Sequence, residues 1–374
     1  GAWWEDYAHR SLANNSANYH SKPDTGTFLK EWASLYESKS GERGIYSSFN
    51  ARKQVERFDY REPRDDFGTN PCSEIILRPR EFCNLSEVVI REGDKEKDLL
   101  RKVEYATILG TWQSTLTNFK YIPKKWKENC EEERLLGVSL TGIMDNKLTS
   151  NPDPKLLNKM RDYAREINEK WADTLKIPKS ASISCIKPSG TVSQLCDSAS
   201  GIHSRHSDYY IRTVRGDNKD PITQMMKDQG VPNEPDVMKA DTTTVFSFPI
   251  KSPKNSVKRD DMSALEQLEM WKVYQEHWCE HKPSVTISVK EDEWTSVGAW
   301  VYDNFDSVSG ISFLPHSDHV YKQAPYQECT KEEHDALLEK MPQLEWDNLS
   351  SYEQEDYTTS SQELACTGNS CEII

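Results

Sequence analysis

The chain has 374 residues, a net charge of −14, and 36% hydrophobic against 29% charged residues. That length suffices for one large domain or two ordinary ones, and the lack of any Lys/Arg cluster argues against DNA or RNA as a partner. No apolar run reaches the roughly 18 residues of a membrane span and no leader pattern opens the chain, so neither membrane nor secretory path is expected. The nine cysteines are odd in number and spread over the chain. Reduced thiols and a cytoplasmic location fit them better than a disulfide framework. Gly1 where a Met would start reads as a piece of something longer.

In chain order, residues 1–20 predict a helix carrying Trp3, Trp4 and Leu12, closed by Asn14-Asn15-Ser16. Thr27–Tyr36 predicts a second, with Phe28, Trp32, Leu35 and Tyr36 at helical spacing. Residues 38–68 lack periodicity and read as a loop with one short helix. Glu74–Arg78 and Asn84–Ile90 predict buried strands. Lys95–Phe119 predicts a long helix burying Leu99, Val103, Ala106, Ile108 and Leu109. Glu131-Glu132-Glu133 predicts the acidic start of a helix over Leu135–Ile143, and Asp153-Pro154 opens another over Lys155–Leu175. Ser182–Ile186, Val245–Pro249 and Ser284–Val289 read as strands, and Asp261–His281 as an amphipathic helix with Leu265, Leu268, Met270 and Trp271 inward. Thr330-Lys331-Glu332-Glu333 matches a capping box. Alternating strands and helices predict an α/β fold. Three segments follow: a lead-in over 1–67, a main body over 68–349, and a polar, acidic, flexible tail over 350–374.

Four stretches carry chemistry. In Gly68-Thr69-Asn70-Pro71-Cys72-Ser73-Glu74, Pro71 disfavours a helix. In an extended chain Asn70, Cys72 and Glu74 then point to one face. An amide, a thiol and a carboxylate converge, with Cys83 a loop's length away. A lone Cys-x-Glu is more often a structural cysteine beside a surface glutamate; the rest of the chain decides. In Cys185-Ile186-Lys187-Pro188-Ser189-Gly190-Thr191-Val192, a strand meets a small hydroxyl-rich turn whose free N–H groups suit an anion. It is not a Walker loop, and alone it reads more readily as an ordinary capped turn. His203, Arg205, His206 and Arg212 could line a phosphate pocket. The pairs His203/His206, His277/His281 and His316/His319 lack a zinc signature, so no metal is expected. Cys366 and Cys371 flank Gly368-Asn369, which favours the turn a small disulfide ring needs.

Together these motifs resemble the catalytic chain of ribonucleotide reductases. The wording Asn-Pro-Cys-Ser-Glu-Ile, Lys-Pro-Ser-Gly-Thr-Val-Ser-Gln and Gly-Ile-His-x-Arg-His-Ser-x-Tyr-Tyr-Ile-Arg is similar to the adenosylcobalamin-dependent class. So is Gly310-Ile311-Ser312-Phe313-Leu314-Pro315 leading to Gln323-Ala324-Pro325-Tyr326. The adjacent tyrosines of the oxygen-dependent class are missing from the late segment, where Tyr321 and Tyr326 stand apart.

The resemblance implies the carboxy-terminal half of a ten-stranded α/β barrel with Cys72 on a finger loop. It implies adenosylcobalamin as cofactor and a ribonucleotide substrate, with triphosphates favoured and diphosphates the alternative. Asn70, Cys72, Glu74 and Cys83 would be catalytic, Thr69 and Pro188, Ser189, Gly190, Thr191 and Val192 would bind substrate, and Cys366/Cys371 would shuttle electrons from thioredoxin or a similar dithiol. The first half of the barrel, with the partner of Cys83, is missing. An amino-terminal half supplied as a separate chain is therefore expected. Two rivals predict otherwise: a dithiol oxidoreductase using the tail pair alone, and an inactive nucleotide-binding half.

Overall fold

The computed structural model describes residues 16–38, 44–316 and 322–353, with the backbone of Leu364–Thr367 and Ser370–Ile373. Strand β1 (Ala17–Tyr19), helix α1 (Thr25–Ser38), β2 (Ile45–Ser47) and α2 (Ser48–Glu56) lead to a hairpin of β3 (Gly68–Thr69) and β4 (Ile76–Leu77). β5 (Asn84–Val89), α3 (Glu96–Gln113), α4 (Lys124–Glu133), β6 (Leu136–Thr141), α5 (Pro154–Leu175) and β7 (Ser184–Cys185) alternate as expected. Then come β8 (Tyr209–Asp217), β9 (Asn233–Pro235), β10 (Thr243–Lys251), α6 (Ala264–His277), β11 (Thr286–Val289), α7 (Trp294–Asp303), β12 (Gly310–Pro315), β13 (Tyr326–Glu328) and α8 (Lys331–Glu339). Strands β14 (Leu364–Thr367) and β15 (Ser370–Ile373) close the chain.

Strands β5, β6 and β7 run parallel, with Asn84 opposite Leu136 and Val138 opposite Ser184. A parallel bridge from Ile186 to Pro283 carries this sheet on to β11, which pairs parallel with β12. Beyond β12 the direction reverses: β2 pairs with it antiparallel, and β1 lies parallel to β2. This run of paired strands, termed the arc, packs against helices α3 and α6, and residues 281–284 hold the β3–β4 hairpin to it. A separate antiparallel sheet, ordered β13-β8-β10-β9, flanks the arc. Among the described residues no helix is long and apolar enough to cross a membrane.

Several predicted elements shift for identifiable reasons. Helix α4 ends with the three glutamates that were expected to begin a helix, and Leu135–Ile143 holds strand β6. Arg134 takes the left-handed conformation at φ 45° and stops α4 there. The acidic residues are held by cations instead of a helix dipole: Arg61 reaches Glu133 at 2.7 Å and Arg78 reaches Glu132 at 2.9 Å. Every residue of β6 is buried, the pattern of a central parallel strand, which a helix period imitates in so short a run. Helix α3 stops at Gln113, and Leu109 is 60% exposed, outside the core formed by Leu99, Val103 and Ala106. Ala17–Tyr19 is a strand where a helix was expected, and the predicted helix otherwise lies outside the described residues. The loop assigned to 38–68 contains β2 as well as α2.

Helix α6 supports the arc. Trp271 Nε1 donates to the Pro283 carbonyl at 2.8 Å, and Tyr274 Oη to that of Thr149 at 2.7 Å. Trp278, just past the helix end, donates to the Cys185 carbonyl at 2.8 Å. All three rings are fully buried. Nearby, Arg165 of α5 grips Glu280 through Nε and Nη2 while its Nη1 donates to the Ser180 carbonyl, and Glu280 accepts the Ile183 N–H at 2.7 Å. Removing one partner of such a buried pair strands a charge. Arg165→Ala is expected to cost about 3–5 kcal/mol, read as a lower midpoint in urea unfolding, and Arg165→Lys is expected to recover only part of it.

Candidate active site

The β3–β4 hairpin pairs Thr69 with Ile76 and turns over Asn70–Ile75. Within the turn the Ser73 N–H donates to the Asn70 carbonyl at 2.9 Å. The Ile75 N–H donates to Asn70 Oδ1 at 3.0 Å, which leaves Asn70 Nδ2 to donate to Glu74 Oε1 at 2.7 Å. Asn70 thus stitches the loop and aims the carboxylate. Beneath the turn lies Gly137 of β6, where a Cβ would come within 2.5 Å of Leu85 Cδ2 and 2.9 Å of Ile75 Cδ1. A side chain there would push the hairpin off its seat.

Glu74 is completely buried. Its Oε1 also accepts from Lys187 Nζ at 3.2 Å, while Oε2 has no hydrogen-bond partner among the described residues. Leaving a buried carboxylate oxygen unpaired costs free energy, so its vacant acceptor capacity points to a donor brought by a ligand. Lys187 hydrogen-bonds Cys72 as well; burial works against its ammonium, and Glu74 and Cys72 together hold its pKa above the usual lysine range. Cys72 and Pro71 lie at the open tip of the turn, Cys72 half-buried and Pro71 exposed. Cys83, just ahead of β5, is half-buried. Desolvation pushes its thiol up, the charge of Glu74 pushes the same way, and Lys187 opposes both. Cys83 therefore lies in the electrostatic field of the hairpin site.

Lys187 carries the chain into the anion-loop candidate. Ser189 is buried, its N–H donating to Ser200 Oγ at 2.9 Å and its own Oγ accepting the Ser193 N–H at 3.0 Å. Thr191 and Val192 are exposed and Gly190 is half-buried. The amides of Gly190 and Thr191 take no partner among the described residues. A single helical turn, Val192–Leu195, follows, and Gln194 Nε2 donates to Tyr326 Oη at 3.0 Å. The structure thus brings Asn70, Cys72, Glu74 and Cys83 to one side of the arc and joins them to the Pro188–Val192 loop through Lys187. Cys366 and Cys371 face each other in the register of β14 and β15.

His203 and His281 serve structure. The Thr286 N–H donates to His203 Nε2 at 3.1 Å and the Ser200 carbonyl faces Nδ1 at 3.0 Å, while burial lowers the His203 pKa. His281 is likewise held between the Ile76 N–H and the Leu136 carbonyl. Arg205 is buried against Asp145, Nε to Oδ1 at 2.9 Å and Nη2 to Oδ2 at 3.0 Å, rather than lining a phosphate pocket. Arg212 lies over the Tyr326 ring at 4.5 Å, and Tyr326 and Tyr210, far apart in sequence, have ring centroids 5.9 Å apart. Among the described residues no cluster of three or more His, Cys, Asp or Glu could hold a metal ion.

Sequence reasoning missed the loop after α6. Residues 281–284 clamp the hairpin at successive points: His281 accepts from the Ile76 N–H, and the Lys282 N–H donates to the Glu74 carbonyl. Lys282 Nζ donates to Ser73 Oγ at 2.7 Å and Ser284 Oγ to the Cys72 carbonyl at 2.5 Å. It also missed the role of Lys187, which precedes the noted Pro-Ser-Gly-Thr motif and was legible only as part of it.

No family model matches the chain. The probable adenosylcobalamin-dependent ribonucleoside-triphosphate reductase of Dictyostelium discoideum is 29% identical over 335 residues, covering 84% of this chain and 41% of the relative. The adenosylcobalamin-dependent ribonucleoside-triphosphate reductase of Euglena gracilis is 28% identical, covering 76% and 39%. That of Levilactobacillus brevis is 25% identical, covering 90% and 48%. The chain thus spans about half the length, or less, of the curated relatives it matches. A crystal structure of a B12-dependent class II ribonucleotide reductase superposes with a TM-score of 0.77 at 23% identity, covering 95% of this chain and 53% of the other. The chain carries the fold of part of the class II ribonucleotide reductase chain, and its sequence is related to the carboxy-terminal part of the adenosylcobalamin-dependent ribonucleoside-triphosphate reductases.

Proposed function

We propose that this chain is the catalytic, carboxy-terminal part of an adenosylcobalamin-dependent ribonucleotide reductase, converting ribonucleoside triphosphates to 2′-deoxyribonucleotides for DNA synthesis in the cytoplasm. The observation that carries the reading is the sealed carboxylate of Glu74. One oxygen is held by Asn70 and Lys187, the other has no partner among the described residues, and Lys187 also hydrogen-bonds the half-buried Cys72.

The nucleotide's phosphates would meet the unpartnered amides of Gly190 and Thr191, with Thr69, Pro188, Ser189 and Val192 shaping the approach. Its ribose would reach the hairpin turn, the 3′-hydroxyl donating to Glu74 Oε2. The open tip formed by Pro71 and Cys72 suits a bulky cofactor face, while Glu74 behind it admits only a small group. When bound, adenosylcobalamin supplies a carbon-centred radical by homolysis of its cobalt–carbon bond. Cys72 would give up its thiol hydrogen to that radical, take the 3′-hydrogen as a thiyl and return it to C3′ once the 2′-position is reduced, while Glu74 would accept the 3′-hydroxyl proton and give it back in the same sequence. Asn70 keeps the ribose oriented. The 2′-hydroxyl leaves as water, and two thiols supply two electrons and two protons, ending as a disulfide. Cys83 is one of those thiols. Its partner is assigned to the amino-terminal half of the reductase, which the test below adds as a separate chain. The raised pKa of Cys83 suits a thiol that must deliver a hydrogen while remaining protonated.

A single turnover without external reductant tests this reading. The chain, an upstream half-chain, adenosylcobalamin and a cytidine nucleotide are expected to yield deoxynucleotide and a disulfide joining Cys83 to a cysteine of the other polypeptide, seen by peptide mass spectrometry. Deoxynucleotide formed with Cys83 still free contradicts the assignment. The tail pair then resets the site by exchange. Cys366→Ser is expected to stop repeated turnover driven by thioredoxin and to spare turnover driven by a small dithiol; equal losses in both assays remove the shuttle role.

A further inference from the structure

Lys282 is fully buried, yet among the described residues it forms no ion pair. Its Nζ donates to Ser73 Oγ at 2.7 Å and stands 4.9 Å from the centroid of the Tyr46 ring. The ammonium occupies a notch that β12 leaves open at Gly310, where a Cβ would approach Nζ to 2.4 Å and Ser73 Oγ to 2.9 Å. A buried ammonium is costly, and packing alone would favour a methionine in this space. Burial pushes the Lys282 pKa down to about 7, with the Glu74 carboxylate pulling it back up. The remaining titratable neighbours are Tyr46 on β2 and His281 alongside, whose own pKa burial lowers well below the histidine range.

What the ammonium grips is the tightest point of the turn. Ser73 has φ 66°, a left-handed conformation that non-glycine residues adopt at a cost and only when their surroundings hold them there. Cys72 and Glu74 flank it on either side. We propose that Lys282 is a positioning residue of the reaction site: in its ammonium form it holds Ser73, and through Ser73 it fixes the turn that sets Cys72 and Glu74 relative to the nucleotide. This rests on the function proposed above. It adds that the site is competent below the Lys282 titration and loosens as the ammonium is lost.

The test has two arms. In the first, Cys72 alkylation by iodoacetamide is followed by peptide mass spectrometry from pH 6 to 9, without nucleotide or cofactor. The wild-type rate is expected to show an extra inflection near pH 7, absent in Lys282→Met and Ser73→Ala. In the second, turnover with the upstream half, adenosylcobalamin and a small dithiol is compared across the same range. Both variants are expected to lose about 10- to 100-fold in kcat, the scale of a small misplacement of reacting groups. KM should stay within about two-fold, and the alkaline limb near pH 7 should disappear. Should Lys282→Met not fold, Ser73→Ala, which removes only the acceptor, carries both readouts. Wild-type kcat with the limb intact in Ser73→Ala overturns the proposal, as does an alkylation profile identical to wild type. Wild-type protein that makes no deoxynucleotide refutes the reductase reading, while the alkylation arm still decides the role of Lys282.

Discussion

Replacing Cys72 with serine is expected to abolish deoxynucleotide formation, by more than roughly 10³-fold, the scale of losing a group that acts covalently at the reacting atom. The change exchanges one small polar side chain for another. The contact that anchors this residue is made by its backbone carbonyl, which accepts from Ser284 Oγ, so the turn keeps its clamp. Lys187 retains Glu74 as a partner. Unfolding free energy should therefore move by less than about 0.5 kcal/mol, as for a substitution that removes no packing, and nucleotide affinity should hold. What disappears is the weak S–H bond: a serine O–H is too strong to give up its hydrogen and then exchange one with a ribose carbon. Residual turnover near the wild-type rate would place the chemistry on another residue. Serine at Cys185 or Cys279, both fully buried and remote from solvent, should leave turnover nearly intact if the protein folds.

Glu74→Gln is expected to lower kcat by about 10²–10⁴-fold, the range for removal of a general base, with a much smaller change in KM. The amide oxygen can still accept from Asn70 and Lys187 in place of Oε1. The other position becomes an NH₂ donor where the substrate hydroxyl needs an acceptor. The substituted site thus keeps its shape and loses both the proton acceptor and the charge that balances Lys187. Glu74→Asp keeps the charge but retracts it by one methylene, and an intermediate rate is expected. A Gln variant with wild-type kcat would show that the 3′-hydroxyl proton goes elsewhere. Measuring kcat and KM separately distinguishes this loss from simple damage to binding.

The parts of the site legible in the sequence are those written in local order. Pro71 excludes the helix, but the segment folds as a turn with Ser73 at φ 66° and not as an extended strand, so Asn70, Cys72 and Glu74 are linked by the Asn70–Glu74 bond and by Lys187 rather than by alternation. The capping box at Thr330 is equally local, and its helix starts where the box places it; the helix predicted from Asp261 starts at Ala264, behind a capping box at Ser263 that the sequence reading did not name. Strand β6 was misread because a buried parallel strand has no polar face, and a short run of apolar residues fits either period. Lys187, Lys282 and Ser284 escaped notice for a different reason. Their roles depend on the Ile186–Pro283 bridge, which brings segments about a hundred residues apart into contact with the hairpin. A buried lysine looks like any surface lysine until the fold surrounds it. The resemblance drawn from four separated motifs agrees with the relatives and the fold match. Of His203, Arg205, His206 and Arg212, offered by the sequence as a phosphate lining, Arg205 does not serve, because its guanidinium is spent on Asp145.

The central proposal is that nucleotide reduction takes place at the turn carrying Cys72 and Glu74, with the amino-terminal half of the reductase added as a second polypeptide. The most direct measurement is formation of deoxycytidine nucleotide from a cytidine nucleotide with adenosylcobalamin and a small dithiol, run with this chain alone, with an upstream half-chain alone, and with both. Product only when both are present, and none when this chain carries Cys72→Ser, is the predicted result. Robust reduction by this chain alone would contradict the need for a partner, and no reduction by the two polypeptides shown to associate would contradict the catalytic reading itself.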